Sequence, residues 1–298
     1  METKCYLQGE YINLSEAKIP VSDRGFLYGD GLFETIKVYE GRPFFLEQHL
    51  DRLMKGTAVL GINLGKKPEE FKAALGGIIE ETIRINKLKD GFIRLSLSRG
   101  SGRRGLLPQE CRSPLLLVVP YVSVPYNDED YEKGYRTVIV QCTRRNTFSP
   151  LSRLKSLNYL DNILGKIETD QKGADEGIFL NERGNLSGGT VSNIFIVKGK
   201  NIFTPTVHCA ILNGITRQIV IKLAKKNNIE IIEKPLPPTE LMEAEEAFLT
   251  NSLMEIMPLV SVEGKSLGNG KPGPYTVKLR NEFLKMVNNP DPTLFSGS

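Results

Sequence analysis

The segment LKSLNYLDN (Leu154–Asn162) decides how the rest of this chain is interpreted. Lys155 stands in it with uncharged neighbours on both sides, and Tyr159 follows four residues later. If the segment is helical, the two side chains lie on one face, because residues four apart are neighbours on a helix. A single lysine of this kind is a surface residue in most proteins. Its significance therefore depends on what the rest of the chain supplies.

The composition is that of a folded globular protein with two domains. The chain has 298 residues, of which 40% are hydrophobic and 25% charged, and its net charge is +4. Its one basic cluster comprises Arg99, Arg103 and Arg104. The cluster lacks interleaved aromatic residues, so it does not indicate a nucleic-acid surface. Because guanidinium groups bind carboxylates in a bidentate way, we expect a site for a small anion.

Cysteine and histidine are too sparse for several kinds of site. The four cysteines are widely separated, so we expect neither a CxxC site nor a disulfide framework. The two histidines make a His-based metal centre or a Ser-His-Asp triad hard to build, and His49 is expected to be a partly exposed helix residue. The N-terminus has no apolar signal core and no run approaches a membrane span, so we expect a cytoplasmic protein without metal or membrane partner.

Short strands and amphipathic helices alternate in both halves of the chain, which predicts a mixed α/β (α+β) fold. The first half includes a hairpin formed by Lys4–Leu7 and Glu10–Asn13. Residues 122–130 are polar and contain a proline, which is typical of a linker. We therefore expect an N-terminal domain of residues 1–121 and a C-terminal domain of residues 131–298.

Two polar turns in the second half have the form of phosphate-binding sites. In LNGITR (Leu212–Arg217) a glycine turn leads into a helix whose first turn carries the hydroxyl of Thr216. The unpaired N–H groups and the dipole of a helix N-terminus both favour an anion. TNS (Thr250–Ser252) is a second polar turn, at the end of a strand. Either turn alone is more simply an ordinary cap.

Seven motifs occur in one order and at compatible spacing. They are DRGFLYGDGLFET (Asp23–Thr35), HLDRL (His49–Leu53), LKSLNYLDN (Leu154–Asn162), TVSNIFIV (Thr190–Val197), TP (Thr204-Pro205), LNGITR (Leu212–Arg217) and EAFLTNS (Glu246–Ser252). Together they resemble the class IV aminotransferases, also called fold-type IV pyridoxal-phosphate enzymes. That family includes branched-chain aminotransferases, D-amino acid aminotransferases and aminodeoxychorismate lyases. The likeness extends from about Tyr6 to Leu279.

The resemblance implies a role for each matching residue. Lys155 would form the Schiff base with pyridoxal 5'-phosphate and act as the general base. The other implied cofactor ligands are Arg52, Ile215, Thr216, Asn251 and Ser252 for the phosphate and Tyr159 for the ring hydroxyl. Tyr28, Phe33 and Arg94 would face the substrate. The loop of residues 99–107, here called the arginine loop, would close over the substrate and bind its carboxylate through Arg99 or Arg103.

The resemblance also implies the architecture. The family fold has an N-terminal α/β sandwich and a C-terminal pseudo-barrel, with an active site that lies between the domains and borders a partner subunit. A homodimer is therefore expected. Lysine suits the role of base because a nearby cationic ring and partial burial lower its pKa.

One residue departs from the family pattern. The segment before TVSN normally carries a glutamate, which pairs with the cofactor's ring nitrogen, followed by glycine. Here that segment reads NLSGGT, and Gly188 stands in the glutamate's place. The substitution removes a charge-assisted hydrogen bond worth ~1.5–3 kcal/mol. Glu182 is the carboxylate close to it in sequence.

Three functions follow from these motifs. The first is an aminotransferase that moves an amino group between a small amino acid, of branched-chain type, and a 2-oxo acid. The second is an aminodeoxychorismate lyase that releases 4-aminobenzoate and pyruvate. The third, suggested by Gly188, is a cofactor-binding relative with impaired catalysis. The D-amino acid branch is disfavoured because the arginine loop has Gly105 near the place of that branch's histidine.

Overall fold

The computed structural model describes residues 2–111, 113–123 and 125–289. They form two compact units. The first comprises Met1–Val124 and Leu154–Tyr159, and the second comprises Pro125–Arg153 and Leu160–Ser298. None of the helices among the described residues has the length and apolar character needed to cross a membrane.

The described part of the first unit forms one sheet of six strands and three α-helices. In chain order its elements are β1 (Lys4–Leu7), β2 (Glu10–Asn13), α1 (Arg24–Tyr28), β3 (Gly31–Tyr39), β4 (Arg42–Pro43), α2 (Leu46–Leu60), α3 (Pro68–Ile85), β5 (Gly91–Ser98) and β6 (Leu115–Tyr121). The strand order is β2-β1-β6-β5-β3-β4, and all neighbours are antiparallel. Because side chains alternate across a strand, the sheet has one apolar and one more polar face.

The apolar face of this sheet packs against α2 and α3. On β5, Ile93, Leu95 and Leu97 are fully buried, whereas the side chains between them are partly exposed. The helices contribute Leu50 and Ile79, together with other apolar residues, to the same core. The opposite face is therefore free to carry functional side chains, among them those of Phe33 and Arg94.

In the second unit, the described residues form a larger sheet and five α-helices. Its elements are α4 (Asp128–Lys133), β7 (Tyr135–Ile139), α5 (Leu160–Gln171), β8 (Glu176–Leu180), β9 (Leu186–Gly189), β10 (Asn193–Lys198), β11 (Asn201–Thr204), α6 (Ile215–Lys226), β12 (Ile231–Glu233), α7 (Pro238–Met242), β13 (Glu246–Asn251), β14 (Glu255–Val262), β15 (Lys265–Ser266) and α8 (Pro274–Asn288). The strand order is β12-β11-β10-β13-β14-β7-β8-β9, and β15 pairs with β14. The terminal strand β9 also contacts β10, so the sheet curls.

A buried carboxylate fixes the last helix of this unit. Glu246 on β13 accepts hydrogen bonds from the backbone N–H groups of Tyr275 and Thr276 and from the Thr276 hydroxyl. These N–H groups belong to the first turn of α8, which has no intrahelical acceptors for them. Glu246 therefore caps α8 in the absence of a capping side chain at Gly273.

The predicted mixed α/β fold is confirmed, since each unit combines helices with a sheet. The division of the chain is more complex than one linker. The first boundary, at 124/125, falls inside the predicted linker 122–130, where α4 also begins. The segment Leu154–Tyr159 then returns to the first unit, because it pairs with the edge of β3.

Candidate active site

Lys155 is held by backbone pairing rather than by a helix. Ser156 forms a bridge with Leu32, and the carbonyl oxygen of Lys155 accepts from the N–H of Phe33 at 2.9 Å. The N–H of Leu157 donates to the carbonyl oxygen of Gly31, also at 2.9 Å. The condition under which Lys155 and Tyr159 would share a helix face is not met, because Ser156 and its neighbours pair along β3 and α5 begins only at Leu160.

The ring of Phe33 brings three of the predicted site residues together. The Lys155 Nζ atom lies 4.4 Å from the ring centroid and the Arg94 Cζ atom lies 3.4 Å from it. The ring of Tyr159 meets it edge to face, with centroids 4.9 Å apart. Cations over an aromatic face are stabilised by the ring quadrupole. The first unit thus presents a basic and aromatic cluster around the amine of Lys155.

The amine of Lys155 is poised to exist in its neutral form. Burial disfavours the ammonium ion, and the positive charges of Arg52 and Arg94 disfavour it further. Glu34 acts in the opposite direction, but the sum lowers the pKa of Lys155 to about 7. A lysine with such a pKa is a nucleophile and a base at neutral pH.

Arg52 is oriented by a buried carboxylate. Its Nε and Nη2 atoms donate to the two carboxylate oxygens of Glu34 at 2.8 and 2.7 Å. Burial alone would raise the pKa of Glu34, but the charge of Arg52 and the hydrogen bonds from Arg52 and His49 lower it to about 2. Such a bidentate pair fixes the plane of the guanidinium group.

His49 completes this network, and the expectation that it is a partly exposed surface residue is wrong. Its side chain is 2% exposed, and its Nδ1 atom lies 2.7 Å from Glu34. Burial lowers the pKa of His49, so the ring is neutral and donates from Nδ1 to the ionised carboxylate. Sequence reasoning missed Glu34, although a carboxylate inside the apolar strand LFETI was a usable signal.

The arginine loop contains one buried and two exposed arginines. The Nε, Nη1 and Nη2 atoms of Arg99 donate respectively to Asp30 and to the carbonyl oxygens of Gly61 and Leu60. Arg99 therefore stabilises the base of the loop, and these contacts argue against the substrate-binding role expected for it. Arg103 and its neighbour Arg104 are exposed, so Arg103 remains the candidate carboxylate ligand.

Tyr28 ends α1, close to the same loop. Asp23 caps this helix by accepting from the N–H of Phe26 at 3.1 Å. Gly29 ends it with a φ of 66°, a left-handed conformation that favours glycine. The carbonyl oxygen of Gly29 accepts from the Asn158 side chain at 2.9 Å. The segment that carries Lys155 is thereby tied to the helix that carries Tyr28.

In the second unit the two predicted phosphate turns meet at Asn193. Asn193 pairs with Thr250 across β10 and β13, and its side chain donates to the carbonyl oxygen of Leu212 at 2.8 Å. A β-carbon on Gly214 would lie 2.2 Å from the Asn193 Oδ1 atom, so only glycine fits before α6. The buried hydroxyl of Thr250 has no hydrogen-bond partner among the described residues.

The two turns differ in the groups that they offer an anion. α6 begins at Ile215, and the first N–H groups of a helix lack intrahelical acceptors. The side chain of Asn251 accepts from the N–H groups of Leu253 and Met254, both at 2.8 Å, which fixes the turn that contains Ser252. The N–H groups that open α6 and the orphan Thr250 hydroxyl are groups that a phosphate can satisfy.

Gly188 lies on β9, a strand whose residues are all buried. A β-carbon there would have one close neighbour, the Ser192 carbonyl oxygen at 2.7 Å. Glu182 does not take the missing carboxylate's place, because it lies at an exposed turn and accepts from the N–H and hydroxyl of Thr147. A side chain added at Gly188 would require the backbone at Ser192 to move, although its carbonyl oxygen accepts from the Gly189 N–H at 2.7 Å.

A second buried carboxylate, Glu176, shapes the backbone next to Gly188. Its Oε1 atom accepts from the N–H groups of Gly177 and Thr190, both at 3.0 Å, and its Oε2 atom accepts from the Ser192 hydroxyl at 3.1 Å. A β-carbon on Gly189 would lie 3.1 Å from this carboxylate. Sequence reasoning missed Glu176, which, like Glu34, is an acidic residue in an apolar strand.

Comparison with known proteins identifies the family. The model of the family described as amino-transferase class IV matches residues 31–262. A protein of Methanocaldococcus jannaschii with the provisional name branched-chain-amino-acid aminotransferase is 39% identical over 280 residues, which cover 94% of this chain and 95% of that protein. The chain belongs to the class IV aminotransferases.

Other relatives of this class IV aminotransferase include both reaction types expected from the sequence. The aminodeoxychorismate lyase of Bacillus subtilis (strain 168) is 34% identical over 286 residues, which cover 95% of this chain and 94% of that protein. The branched-chain amino acid aminotransferase of T.th., solved with pyridoxamine 5'-phosphate, is 28% identical with a TM-score of 0.90, and the match covers 99% of this chain and 97% of that one.

Pyridoxal 5'-phosphate is the cofactor of this class IV aminotransferase. The residues present fit it. The first unit offers a lysine of lowered pKa beside an oriented arginine, and the second unit offers a helix N-terminus with an unsatisfied hydroxyl nearby.

Proposed function

We propose that this chain transfers an amino group between a small amino acid of branched-chain type and a 2-oxo acid, with Lys155 as its catalytic residue. The observation that carries the proposal is the lowered pKa of Lys155, about 7, within a cluster of aromatic and basic side chains. The substrate class follows the names of the relatives from T.th. and Methanocaldococcus jannaschii.

In the first unit, Lys155 binds the cofactor covalently and moves the substrate proton. Pyridoxal 5'-phosphate, when bound, supplies an aldehyde that reacts with amines and a ring that accepts the electron pair of the substrate α-carbon. The neutral amine of Lys155 would take the proton from that carbon and deliver it to the carbon of the former aldehyde, which is the proton shift that amino transfer requires. Arg52, held by Glu34, binds phosphate by charge, and the Tyr159 hydroxyl binds the ring hydroxyl. These roles are supported by the matching motifs and by the electrostatics around Lys155.

In the second unit, phosphate is bound by two turns. The N–H groups of Ile215 and Thr216, with the Thr216 hydroxyl, provide the first set of donors, and Asn251 and Ser252 provide the second. The proposal is supported by the glycine that opens α6 and by the buried, unpartnered Thr250 hydroxyl. A dianionic group at a helix N-terminus interacts favourably with the helix dipole.

The substrate side is formed by aromatic and basic residues. Phe33 and Tyr28 provide apolar surface for a small side chain. Arg94 and Arg103 provide cations for substrate carboxylates, and Arg94 already stacks on Phe33. Burial lowers the pKa of the Arg94 guanidinium, but its ordinary value is so high that it stays charged at neutral pH.

An aminodeoxychorismate lyase is the second candidate. The observation that favours it is the 34% identity with the lyase of Bacillus subtilis over nearly the whole of both chains. Gly188 supports a third candidate, a cofactor-binding relative with weak catalysis, because the carboxylate of Glu182 is engaged elsewhere and does not replace the missing glutamate.

We further propose that the chain works as a homodimer in the cytoplasm. α5 buries Gly165 and Thr169 against β8 but leaves an apolar stripe in solvent, formed by Leu160, Ile163, Leu164 and Ile167. A contiguous stripe of this kind on a helix is typical of an interaction surface. All four cysteines are free thiols, as a reducing compartment would keep them.

A spectral assay tests these functions. Purified protein loaded with pyridoxal 5'-phosphate is mixed with single L- and D-amino acids, and conversion of the cofactor to its amine form is followed by absorbance. We expect conversion with branched-chain amino acids and reversal by 2-oxoglutarate. Pyruvate release from aminodeoxychorismate without such conversion would instead establish the lyase. A loaded protein that converts no amino acid and releases no pyruvate would refute both activities.

A further inference from the structure

Arg24, in the motif DRGFLYGDGLFET, binds the tip of the arginine loop. Its side chain is buried in the first unit. Its Nη1 atom donates to the carbonyl oxygen of Gly105 at 2.7 Å, and its Nη2 atom donates to that of Leu106 at 2.9 Å. Because the guanidinium fork is rigid and planar, two such hydrogen bonds fix the direction of the backbone they reach.

Asp30 connects Arg24 to the base of the same loop. Its Oδ2 atom accepts from the Nε atoms of both Arg24 and Arg99 at 2.8 Å. Burial disfavours the ionised carboxylate, but the hydrogen bonds and charges of Arg99 and Arg24 outweigh it and lower the pKa of Asp30. The ionised Asp30 carboxylate therefore joins Arg99, at the start of the loop, to Arg24, which holds the loop tip.

The backbone of the loop is also tied to the start of α1. The N–H of Arg24 donates to the carbonyl oxygen of Gly100 at 3.0 Å, and Asp23 forms a bridge with Ser101. Between these anchors the loop carries Arg103, and the side chain of Leu106 is 83% exposed. The loop is thus fixed at its base and its tip, with Arg103 between the two points.

We propose that Arg24 is a positioning residue for substrate binding. It holds the tip of the arginine loop, so that Arg103 presents its guanidinium where the substrate carboxylate binds. The kinetic part rests on the proposed function, because it assigns Arg103 to the substrate. The position of the loop itself does not depend on that assignment.

Loop position is measured with a single tryptophan. The chain contains no tryptophan, and Leu106 is exposed, so Leu106→Trp places one reporter at the loop tip. Adding Arg24→Gln should lower the anisotropy of this tryptophan and accelerate trypsin cleavage after Arg103, with fragments identified by mass. Arg84→Gln is the matched control, because it removes an exposed arginine that pairs with Glu81, and it should change neither quantity.

Kinetics of the full enzyme provide the second readout. In Arg24→Gln, KM for the 2-oxo acid should rise at least ~10-fold while kcat changes little, since misplacement of a binding group weakens binding. Arg24→Lys keeps the charge beside Asp30 but loses the two-pronged contact, and it should give an intermediate KM. Thermal unfolding followed by circular dichroism shows whether each variant is folded.

Two results would overturn the proposal. One is a folded Arg24→Gln or Arg24→Lys variant with unchanged anisotropy and unchanged cleavage. The other is a loss of kcat at constant KM, which indicates a role other than positioning. An unaltered protein without any activity would refute the proposed function alone, because the anisotropy and cleavage measurements need no catalysis.

Discussion

Lys155 and Phe33 are joined twice, once through the backbone and once through their side chains. The Lys155 carbonyl oxygen accepts from the Phe33 N–H at 2.9 Å, and the Lys155 Nζ atom lies 4.4 Å from the centre of the Phe33 ring. The backbone contact sets the register of the segment on β3, and the ring helps to set the environment of the amine. The reactive group is therefore positioned by the sheet rather than by a flexible loop.

The first prediction concerns the pH dependence of the Lys155 amine. Because only the neutral amine attacks an aldehyde and its pKa is about 7, the rate of covalent bond formation with pyridoxal should be constant well above pH 7. Below pH 7 it should fall about tenfold per pH unit. Absorbance after rapid mixing measures the rate, and Lys155→Ala should show no bond formation.

Arg52→Gln provides an internal test of the cause. The positive charge of Arg52 contributes to the lowered pKa of Lys155. Arg52→Gln should therefore move the midpoint of the pH profile for covalent bond formation to higher pH. Pyridoxal lacks the phosphate, so the measurement is independent of phosphate binding by Arg52. A midpoint near the ordinary lysine value in the unaltered protein would contradict the account given for Lys155.

The second prediction concerns the buried Glu34 network. Glu34→Gln leaves Arg52 without its bidentate carboxylate and should lower the free energy of unfolding by about 3–5 kcal/mol. Denaturation with urea measures the change. Glu40→Gln, which removes a carboxylate from an exposed pair with Arg42, is the control and should have little effect.

The same network should make stability depend on pH in a defined window. The pKa of Glu34 is about 2 in the folded chain and 4.5 ordinarily, so the unfolded chain binds more protons between these values. The contribution of Glu34 to the free energy of unfolding is therefore fully present above pH 4.5, and it is lost as the pH falls through about 2. In Glu34→Gln the free energy of unfolding should lack this pH-dependent contribution. If it falls with decreasing pH in the same way in both proteins, the contribution assigned to Glu34 is contradicted.

The third prediction concerns Gly188. Gly188→Glu restores a carboxylate on β9 and requires the Ser192 backbone to move, because the new β-carbon would lie 2.7 Å from the Ser192 carbonyl oxygen. If this carboxylate pairs with the cofactor's ring nitrogen, the rate of amino transfer should rise about 10- to 100-fold, which corresponds to ~1.5–3 kcal/mol. Gly188→Gln has the same shape without the charge, and an equal gain in that variant would exclude the electrostatic explanation.

The fourth prediction concerns the exposed stripe of α5. If two copies bury it, Ile163→Asp with Ile167→Asp should place charges in an apolar interface and convert a dimer into a monomer. Sedimentation velocity measures the mass. Val277→Asp on α8 introduces one charge at a comparably exposed residue and should leave the mass unchanged. A monomeric unaltered protein would end the homodimer proposal.

Local patterns found most strands and helices, because they depend on short-range alternation and spacing. The hairpin of Lys4–Leu7 and Glu10–Asn13 was predicted with the bounds that the structure has. β14 (Glu255–Val262) was not predicted, and it contains Pro258, a residue type that is unfavourable in a central strand. In the structure Pro258 lies before the residues that pair with β7, so its lack of an N–H breaks no contact with that strand.

The sequence by itself determined the family, the cofactor and the identity of the candidate lysine, because ordered motifs record residue types and spacing. Only the tertiary structure decided the state of those residues. It placed Lys155 in an extended segment, buried His49 beside Glu34, and committed Arg99 to Asp30 and two backbone carbonyls. These outcomes depend on burial and on charges contributed by residues far apart in the chain, which local patterns do not record.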